Sequence, residues 1–294
     1  DPNVDLLVTA TSGTVAIEPT VKAIENGTNI ALANKETIVV AGELVTRAAK
    51  NSGASIYPLD SEPNAIWQCL EGETSSIKKL IITASGGSVR DVPIEKLGDI
   101  TPTDALNHPN WQMGSKITID SATMMNKALE IIEARWLFDL PADKIEVVIH
   151  PQSIVHSLVE FIDGSVVAQL SPPDMRLPIQ YALSYPNRNQ GSADRLDLRQ
   201  SLQLDFHPPD LDRFPALSLG LEVAQAGGTA GAVLNAANES AVTYFLDGKL
   251  RFTEIVTAFP AVLEKHTFDD HPSPGAPMKI DAWACEEFSH SIRL

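Results

Sequence analysis

The sequence predicts an α/β protein that ends in a small all-α domain. In the first 85 residues short apolar strands alternate with helices, which indicates βαβ units and a parallel sheet. After residue 215 the strand signals vanish and only helical stretches remain. A long Pro-containing stretch without clean periodicity lies between these parts. A chain of 294 residues is long enough for two domains, each with its own core.

Charge and cysteine content limit the classes of partner. The formal net charge of -16 argues against a nucleic-acid or anionic-membrane surface, although local lysines could still bind a phosphorylated molecule. The two cysteines, Cys69 and Cys285, have no metal-like spacing and indicate a reducing compartment, so we expect a cytoplasmic protein. No apolar run approaches the length of a membrane span. The chain starts at Asp1 and soon enters an apolar strand, so we expect its domain to begin upstream.

The first part of the chain predicts four strands joined by three helices. The predicted strands are Asp5–Thr9, Asn29–Ala33, Ser55–Leu59 and Leu80–Ala84. The helices are predicted up to Asn26, from about Thr37 to Lys50, and over Asn64–Leu70.

Polar side chains follow three of these predicted strands. In parallel sheets, ligands bind beyond the carboxyl ends of the strands. The three polar groups at such ends are Asn34-Lys35-Glu36, Asp60-Ser61-Glu62 and Ser85-Gly86-Gly87. Each alone could be an ordinary loop with a helix cap, but three at one edge predict a site.

Among these residues, Asp60 and Glu62 are the strongest candidates for metal ligands. Two carboxylates one residue apart repel each other unless a cation lies between them, and oxygen ligands favour Mg²⁺ or Mn²⁺. The pair needs a third ligand, for which Glu130 is the candidate. Without that third ligand, two solvated loop acids remain the simpler interpretation.

The segment from His108 to Trp136 predicts a loop, a short strand over Lys116–Ile119, and a helix opened by Asp120 or Ser121. On that helix three polar residues can share one face, because they are spaced three and four apart: Asn126, Lys127 and Glu130. They could form an internal Lys–Glu pair or bind a ligand. The irregular stretch before it, residues 88–113, is interpreted as a lid that covers a ligand with His108, Trp111 and Met113.

The rest of the chain predicts strands and then helices. The strands are Ile145–Ile149, Ser153–Phe161 and Ser165–Leu170, with a hairpin signal at Asp163-Gly164. His156 lies among apolar neighbours and is interpreted as a structural histidine. Helices are predicted over Met175–Ser184, Ala216–Ala226, Ala230–Leu246 and Thr253–His266, and from Asp281 onward. The polar residues Asn235, Asn238 and Glu239 are either buried with partners or directed toward a neighbouring domain.

Six long motifs, in this order, resemble those of the 1-deoxy-D-xylulose 5-phosphate reductoisomerase family. They are L-A-N-K-E, D-S-E-x-N-A-I, T-A-S-G-G, H-P-N-W-x-M-G, D-S-A-T-M-M-N-K-A-L-E and H-P-Q-S-I-V-H-S. The resemblance implies conversion of 1-deoxy-D-xylulose 5-phosphate to 2-C-methyl-D-erythritol 4-phosphate in isoprenoid precursor synthesis, with NADPH and Mn²⁺ or Mg²⁺. It also implies a homodimer with a phosphosugar substrate and with neither nucleic-acid nor membrane partners.

The resemblance carries roles to individual residues. The implied metal ligands are Asp60, Glu62 and Glu130, and the implied catalytic residues are Glu62, Lys35 and His108. The implied substrate contacts are Lys35, Ser61, Glu62, Ser85, His108, Ser121, Asn126, Lys127 and Glu130. The implied cofactor contacts are Asn34, Glu36 and Gly114. The implied reaction is a retro-aldol cleavage and re-addition on metal-chelated substrate, followed by reduction by NADPH.

The resemblance also implies a domain division. Residues 1–58 would be the remainder of a Rossmann-like NADPH domain, 59–186 a catalytic domain with lid 88–113, 187–214 a linker and 215–294 a helical domain. The glycine-rich turn that would bind the NADPH phosphates is not in the sequence, so we expect an incomplete copy of an active enzyme.

Two local departures from the family pattern could alter the lid or the surroundings of the metal. Pro63 replaces the usual His after D-S-E, and Ser88-Val89 replaces the common Pro-Phe. Two alternatives stay open: a truncated module that binds metal and phosphosugar without turnover, and another two-domain NADP-dependent dehydrogenase that uses Lys35 and no metal.

Overall fold

The computed structural model describes residues 3–72 and 76–292. The first sheet is parallel, with strand order β1-β2-β3. Its strands are β1 (Leu6–Thr9), β2 (Asn29–Leu32) and β3 (Ile56–Pro58), and its connecting helices are α1 (Ile17–Glu25) and α2 (Lys35–Ser52). The alternation of strand and helix predicted for this part is therefore confirmed.

Helix α2 begins directly at the carboxyl end of β2. The Asn34 side-chain oxygen accepts from the Thr37 backbone N–H at 2.7 Å and caps the helix, which ends at Gly53 in the left-handed conformation. The apolar side of α2 is buried with Ile38 and Val45. This cap fixes Lys35 and Glu36 in the first helical turn at the edge of the sheet.

The second sheet contradicts one prediction. Its strands are β4 (Ile77–Ala84), β5 (Ile145–Ile149), β6 (Val155–Phe161) and β7 (Val166–Leu170), in the order β5-β4-β6-β7. Placing β4 in the parallel sheet of β1–β3 was therefore wrong. An apolar run indicates that a strand is buried but not which strands pair with it. The partners of β4 come more than sixty residues later in the chain. The hairpin predicted at Asp163-Gly164 is confirmed by the antiparallel pair β6–β7.

The strand predicted over Lys116–Ile119 is also wrong. These residues belong to a helix, α5 (Ser115–Ala122), and the next helix, α6 (Met125–Leu137), begins after Met124 rather than at Asp120 or Ser121. The K-I-T-I stretch alternates like a strand, but its buried residues Thr118 and Ile119 lie on the same helical face as Ala122, one turn further along α5. Tertiary packing of that face overrides the local β propensity.

Helix α3 (Ser61–Cys69) begins three residues earlier than predicted. The Asp60 carboxylate accepts from the Ser61 backbone N–H at 3.0 Å and forms its N-cap. Pro63 occupies the first helical turn, where its missing N–H would have no intrahelical partner. The family departure at Pro63 therefore fits the helix and removes no metal ligand.

The predicted irregular stretch is partly ordered. A 3₁₀ segment (Ile94–Asp99) and helix α4 (Pro102–Ala105) lie within it, and Val89 and Leu97 are buried. Arg213 donates hydrogen bonds to the backbone oxygens of Val89 and Val92, at 3.2 and 2.5 Å. Residues 106–114 form the longest part of this stretch without helix or strand.

The last part of the chain is helical, as predicted. After α7 (Arg176–Ser184) come α8 (Ala216–Ala226), α9 (Ala230–Leu246), α10 (Glu254–Thr257), α11 (Phe259–Lys265) and α12 (Ala276–Ser291). The predicted helix Thr253–His266 is two helices, and α12 begins five residues before Asp281. One apolar core joins these helices to α6 and the second sheet. Across the described residues, no helix has the length and apolar character needed to cross a membrane.

Candidate active site

A cavity of about 410 Å³ lies where the carboxyl ends of β2, β3 and β4 meet helices α5 and α6. The irregular segment 106–114 contributes His108, Trp111 and Met113 to its wall. Most of the residues singled out from the sequence line it: Lys35, Glu36, Asp60, Ser61, Glu62, Ser85, His108, Ser121, Asn126 and Lys127. Although β4 belongs to another sheet, its end still reaches the same cavity as the ends of β2 and β3.

Three carboxyl groups converge at the base of this cavity. One oxygen atom from each of Asp60, Glu62 and Glu130 lies within 4.8 Å of the others. Asp60 and Glu62 come from the start of α3, whereas Glu130 projects from the middle of α6 and is completely buried. Among the described residues this is the group of acidic, histidine or cysteine side chains that could hold a metal ion.

Two buried lysines lie among these carboxylates. Lys127 donates to Glu62 and, at 2.7 Å, to Glu130. Lys35 donates to Asp60, and its Nζ lies 3.4 Å from Glu130 Oε1. The spacing-based prediction that the polar residues of α6 share one face is confirmed, because Asn126 Nδ2 also donates to Glu130, at 2.5 Å.

Burial and the lysines set the protonation of the acids in opposite directions. Burial alone would raise the pKa of Glu62, but the charge and hydrogen bond of Lys127 outweigh it and lower this pKa to about 2. Burial and repulsion from Glu62 raise the pKa of Glu130 to about 7, despite both lysines. At neutral pH Glu62 is therefore ionised, whereas Glu130 is only partly ionised.

The donor set fits a hard divalent cation. All three candidate ligands are carboxylates, which suit Mg²⁺ or Mn²⁺ and not softer ions. Together with Glu133, which also faces Lys35, four carboxyl groups face two ammonium groups. A divalent cation would balance that full set, whereas Glu130 and Glu133 carry raised pKa values without one.

His108 is fixed at the cavity wall by a defined hydrogen-bond pattern. Its Nδ1 accepts from the backbone N–H groups of Asn110 and Trp111, at 3.1 and 3.0 Å. The proton of the neutral ring is therefore on Nε2, which lies 3.1 Å from Ser85 Oγ. Burial and the charge of Lys127 lower the pKa of His108, so the ring is neutral at pH 7.

The three predicted cofactor residues lie in different settings. Glu36 lines the main cavity, and Gly114 precedes α5 beside a second cavity that the irregular segment lines. The Asn34 amide donates to the backbone oxygens of Thr11 and Gly13, and its oxygen accepts from Thr37. Asn34 therefore has a structural role at the start of α2, and its contact with a cofactor stays a prediction.

Sequence reasoning missed three residues at this site. Glu133 is 1% exposed and lies 3.5 Å from Lys35, a position that its spacing of three from Glu130 could have indicated. Lys116 lines the cavity and pairs with Asp120 at 2.7 Å, but it lay in the wrongly predicted strand. His156 lines the cavity too, although its ring nitrogen bonds to the Ser171 backbone oxygen as a structural histidine would.

An α/β fold with a carboxylate cluster, buried lysines and a covering segment defines a metal-dependent enzyme that acts on a small anionic molecule. Three family models match the chain. They are "1-deoxy-D-xylulose 5-phosphate reductoisomerase" over residues 1–42, the C-terminal domain of that name over 56–138, and "DXP reductoisomerase C-terminal domain" over 170–287.

Similar proteins carry the same name. The reductoisomerase of Heliobacterium modesticaldum is 54% identical over 283 residues, which cover 96% of this chain and 72% of that protein. That of Pelotomaculum thermopropionicum is 56% identical over 284 residues, which cover 96% and 73%. The chain therefore belongs to the 1-deoxy-D-xylulose 5-phosphate reductoisomerase family.

Solved structures of the family have the same fold. The reductoisomerase of Zymomonas mobilis in complex with NADPH is 42% identical, with a TM-score of 0.92 over 98% of this chain and 75% of that one. A reductoisomerase in complex with NADPH, fosmidomycin and magnesium is 44% identical, with a TM-score of 0.94 over 100% and 77%.

Proposed function

We propose that this chain carries the metal and substrate site for the NADPH- and divalent-metal-dependent conversion of 1-deoxy-D-xylulose 5-phosphate to 2-C-methyl-D-erythritol 4-phosphate. The observation that carries the proposal is the convergence of buried Glu130 with Asp60 and Glu62, two residues that line the same cavity as Lys35 and Lys127. Relatives of this name are more than 50% identical, and solved relatives bind NADPH and magnesium.

In this proposal Asp60, Glu62 and Glu130 hold one Mg²⁺ or Mn²⁺ ion. When bound, the ion supplies Lewis-acid polarisation of a carbonyl and a neighbouring hydroxyl. Glu62 needs no deprotonation before it binds the ion, because its pKa is about 2. Binding through Glu130 requires loss of a proton near neutral pH, because its pKa is about 7.

Three side chains are proposed to act on the reacting atoms of the substrate. Lys35 places a buried ammonium beside the carboxylate cluster, where it can stabilise negative charge that develops on a substrate oxygen. Glu62 can accept a hydrogen bond from a substrate hydroxyl through an ionised oxygen. The neutral His108 ring donates its Nε2–H to Ser85 Oγ in the free protein, and we propose that this donor turns to an oxygen of the bound molecule. Trp111 lines the same cavity and would exclude water when the segment closes.

The phosphate is proposed to bind next to the carboxylate cluster, where Asn126 and Lys127 contact Glu130. Ser85 and Ser121 offer hydroxyl donors there, and Asn126 has a second amide N–H besides the one given to Glu130. Lys127 uses two of its three protons on Glu62 and Glu130, so one remains for a phosphate oxygen. Ser61 donates to Glu62 at 2.6 Å, so we propose that it contacts the substrate through its lone pairs.

NADPH would supply the hydride for the reduction step. We propose that Glu36, Asn34 and Gly114 border its site, because they lie at the edge of the first sheet and beside the irregular segment. A homodimer and a cytoplasmic location belong to the same proposal; the two unpaired cysteines agree with a reducing compartment.

One assay separates this function from its alternatives. NADPH absorbance is followed with 1-deoxy-D-xylulose 5-phosphate, with Mn²⁺ and with a chelator, in this chain extended at its start by a strand, a glycine-rich turn and a helix that bind the NADPH phosphates. The proposal expects substrate-dependent oxidation that requires the ion. Oxidation that persists with the chelator would indicate another dehydrogenase, and binding of ion and substrate without oxidation would indicate a binding module.

A further inference from the structure

Glu133 is a buried acid for which the proposed reaction has no use. Its side chain is 1% exposed, and its Oε2 atom accepts no hydrogen bond within the usual limits. Lys35 Nζ forms an ion pair with this oxygen at 3.5 Å. A buried carboxyl oxygen without a hydrogen bond lowers the stability of the fold, so its presence needs an explanation.

Lys35 is the side chain that connects Glu133 to the metal site. The ammonium donates to Asp60 and lies 3.4 Å from Glu130, so two of its three carboxylate neighbours are proposed metal ligands. A divalent cation on those oxygens would take away these partners and repel the ammonium. Glu133 is the remaining neighbour, and it lies outside the group of ligands.

We propose that Glu133 is a positioning residue that takes up the ammonium of Lys35 when a divalent cation binds Asp60. This inference rests on the proposed metal site. Lys35 can then release Asp60 without becoming an unpaired buried charge, whose cost would otherwise be subtracted from metal binding. Glu133 thereby keeps the ammonium beside the bound substrate.

A double-mutant cycle tests this role without any need for turnover. Calorimetric Mn²⁺ titrations are compared for the wild-type chain, Glu133→Gln, Lys35→Met and the double variant. When Lys35 is present, Glu133→Gln should raise the Kd for Mn²⁺ about 10- to 100-fold, because the partner of a residue beside the metal ligands is lost. In the Lys35→Met background, Glu133→Gln should change the Kd less than about threefold, because no ammonium needs a partner there. An equal increase in both backgrounds would overturn the inference, since Glu133 would then act only as a nearby negative charge.

The matched control is Asp281→Asn. Asp281 has a buried carboxyl oxygen without a hydrogen-bond partner, but it lies on α12 and does not line the cavity. Its substitution should leave the Kd unchanged, and a comparable increase would count against a specific role of Glu133.

A crystal structure of the wild-type chain with Mn²⁺ decides the matter if Glu133→Gln does not fold. Lys35 Nζ should then be within hydrogen-bond distance of Glu133 and released from Asp60. An ammonium that stays on Asp60 would overturn the inference. Failure of the wild-type chain to bind Mn²⁺ would instead refute the proposed metal site itself, so the two failures are distinguishable.

Discussion

Replacing Glu130 by Gln should have opposite effects on stability and on metal binding. The substitution keeps the shape of the side chain and removes its charge at the centre of the site. Burial and the neighbouring Glu62 raise the pKa of Glu130 to about 7 in the folded protein, from an ordinary value of 4.5. The ionised form is therefore disfavoured by folding, so the charge that would bind a cation destabilises the metal-free protein.

The magnitude follows from the two pKa values. The unfolded chain loses the Glu130 proton near pH 4.5 and the folded chain near pH 7, so wild-type stability falls as the pH rises through this window. Ionisation of Glu130 lowers the free energy of unfolding by about 3 kcal/mol in total once the pH is above 7. Of this loss, roughly 2–3 kcal/mol occurs between pH 5 and pH 8. The Gln side chain does not titrate, so Glu130→Gln escapes this loss.

Urea denaturation of both proteins at pH 5 and pH 8, with a chelator present, measures the effect. The stability of the wild-type chain relative to Glu130→Gln should fall by roughly 2–3 kcal/mol between these pH values. With Mn²⁺ at 100 times its Kd the wild-type chain should regain about 2.7 kcal/mol, and the variant little. If the stability of the wild-type chain relative to Glu130→Gln stayed constant or rose between these pH values, burial and neighbouring carboxylates would not raise the pKa of Glu130, and the assignment would be refuted.

Three further outcomes are expected. Lys127→Met leaves Glu62 buried without its countercharge, so urea denaturation of the metal-free protein at pH 7 should show a loss of about 3–5 kcal/mol; a loss below about 1 kcal/mol would contradict the pairing. The amides of residues 107–114 should exchange hydrogen faster than those of the sheets and slow down when a phosphonate substrate mimic binds. Equally slow exchange with and without the mimic would argue against a lid. Gly87→Ala should cost more than about 2 kcal/mol in urea denaturation, because φ is +68° and a Cβ would lie 2.5 Å from a backbone oxygen of α5. The control Gly164→Ala has a similar φ but open space, so an equal loss there would show that strain alone is responsible.

The sequence predicts best what depends on local patterns. Helices α8 and α9 have the predicted bounds, and the Asp163-Gly164 hairpin forms where expected, because apolar periodicity and turn chemistry are local signals. The spacing of Asn126, Lys127 and Glu130 correctly indicates their shared face. The same logic could have indicated Glu133, which lies one turn further along the helix.

What the sequence cannot predict is set by distant partners. Strand β4 reads as one more buried parallel strand, and only its pairing with β5 and β6 places it in a second sheet. Residues Lys116–Ile119 alternate like a strand but form a helix, because their apolar face packs in the core. The same limit applies to the site: the pairing of Lys35 with Asp60, Glu130 and Glu133 joins residues far apart in the chain.

Metal-dependent binding of fosmidomycin tests the central claim most directly. The claim is that one cavity of this chain joins a divalent-ion site to a site for a phosphosugar. Fosmidomycin is the probe because a solved relative was obtained in complex with fosmidomycin and magnesium. Calorimetric titration of fosmidomycin into the chain is carried out with Mg²⁺, with a chelator, and with Glu130→Gln in Mg²⁺. The account predicts one binding event per chain with Mg²⁺, and a large loss of affinity in the other two titrations. Equal affinity in all three, or no binding in any, would contradict it.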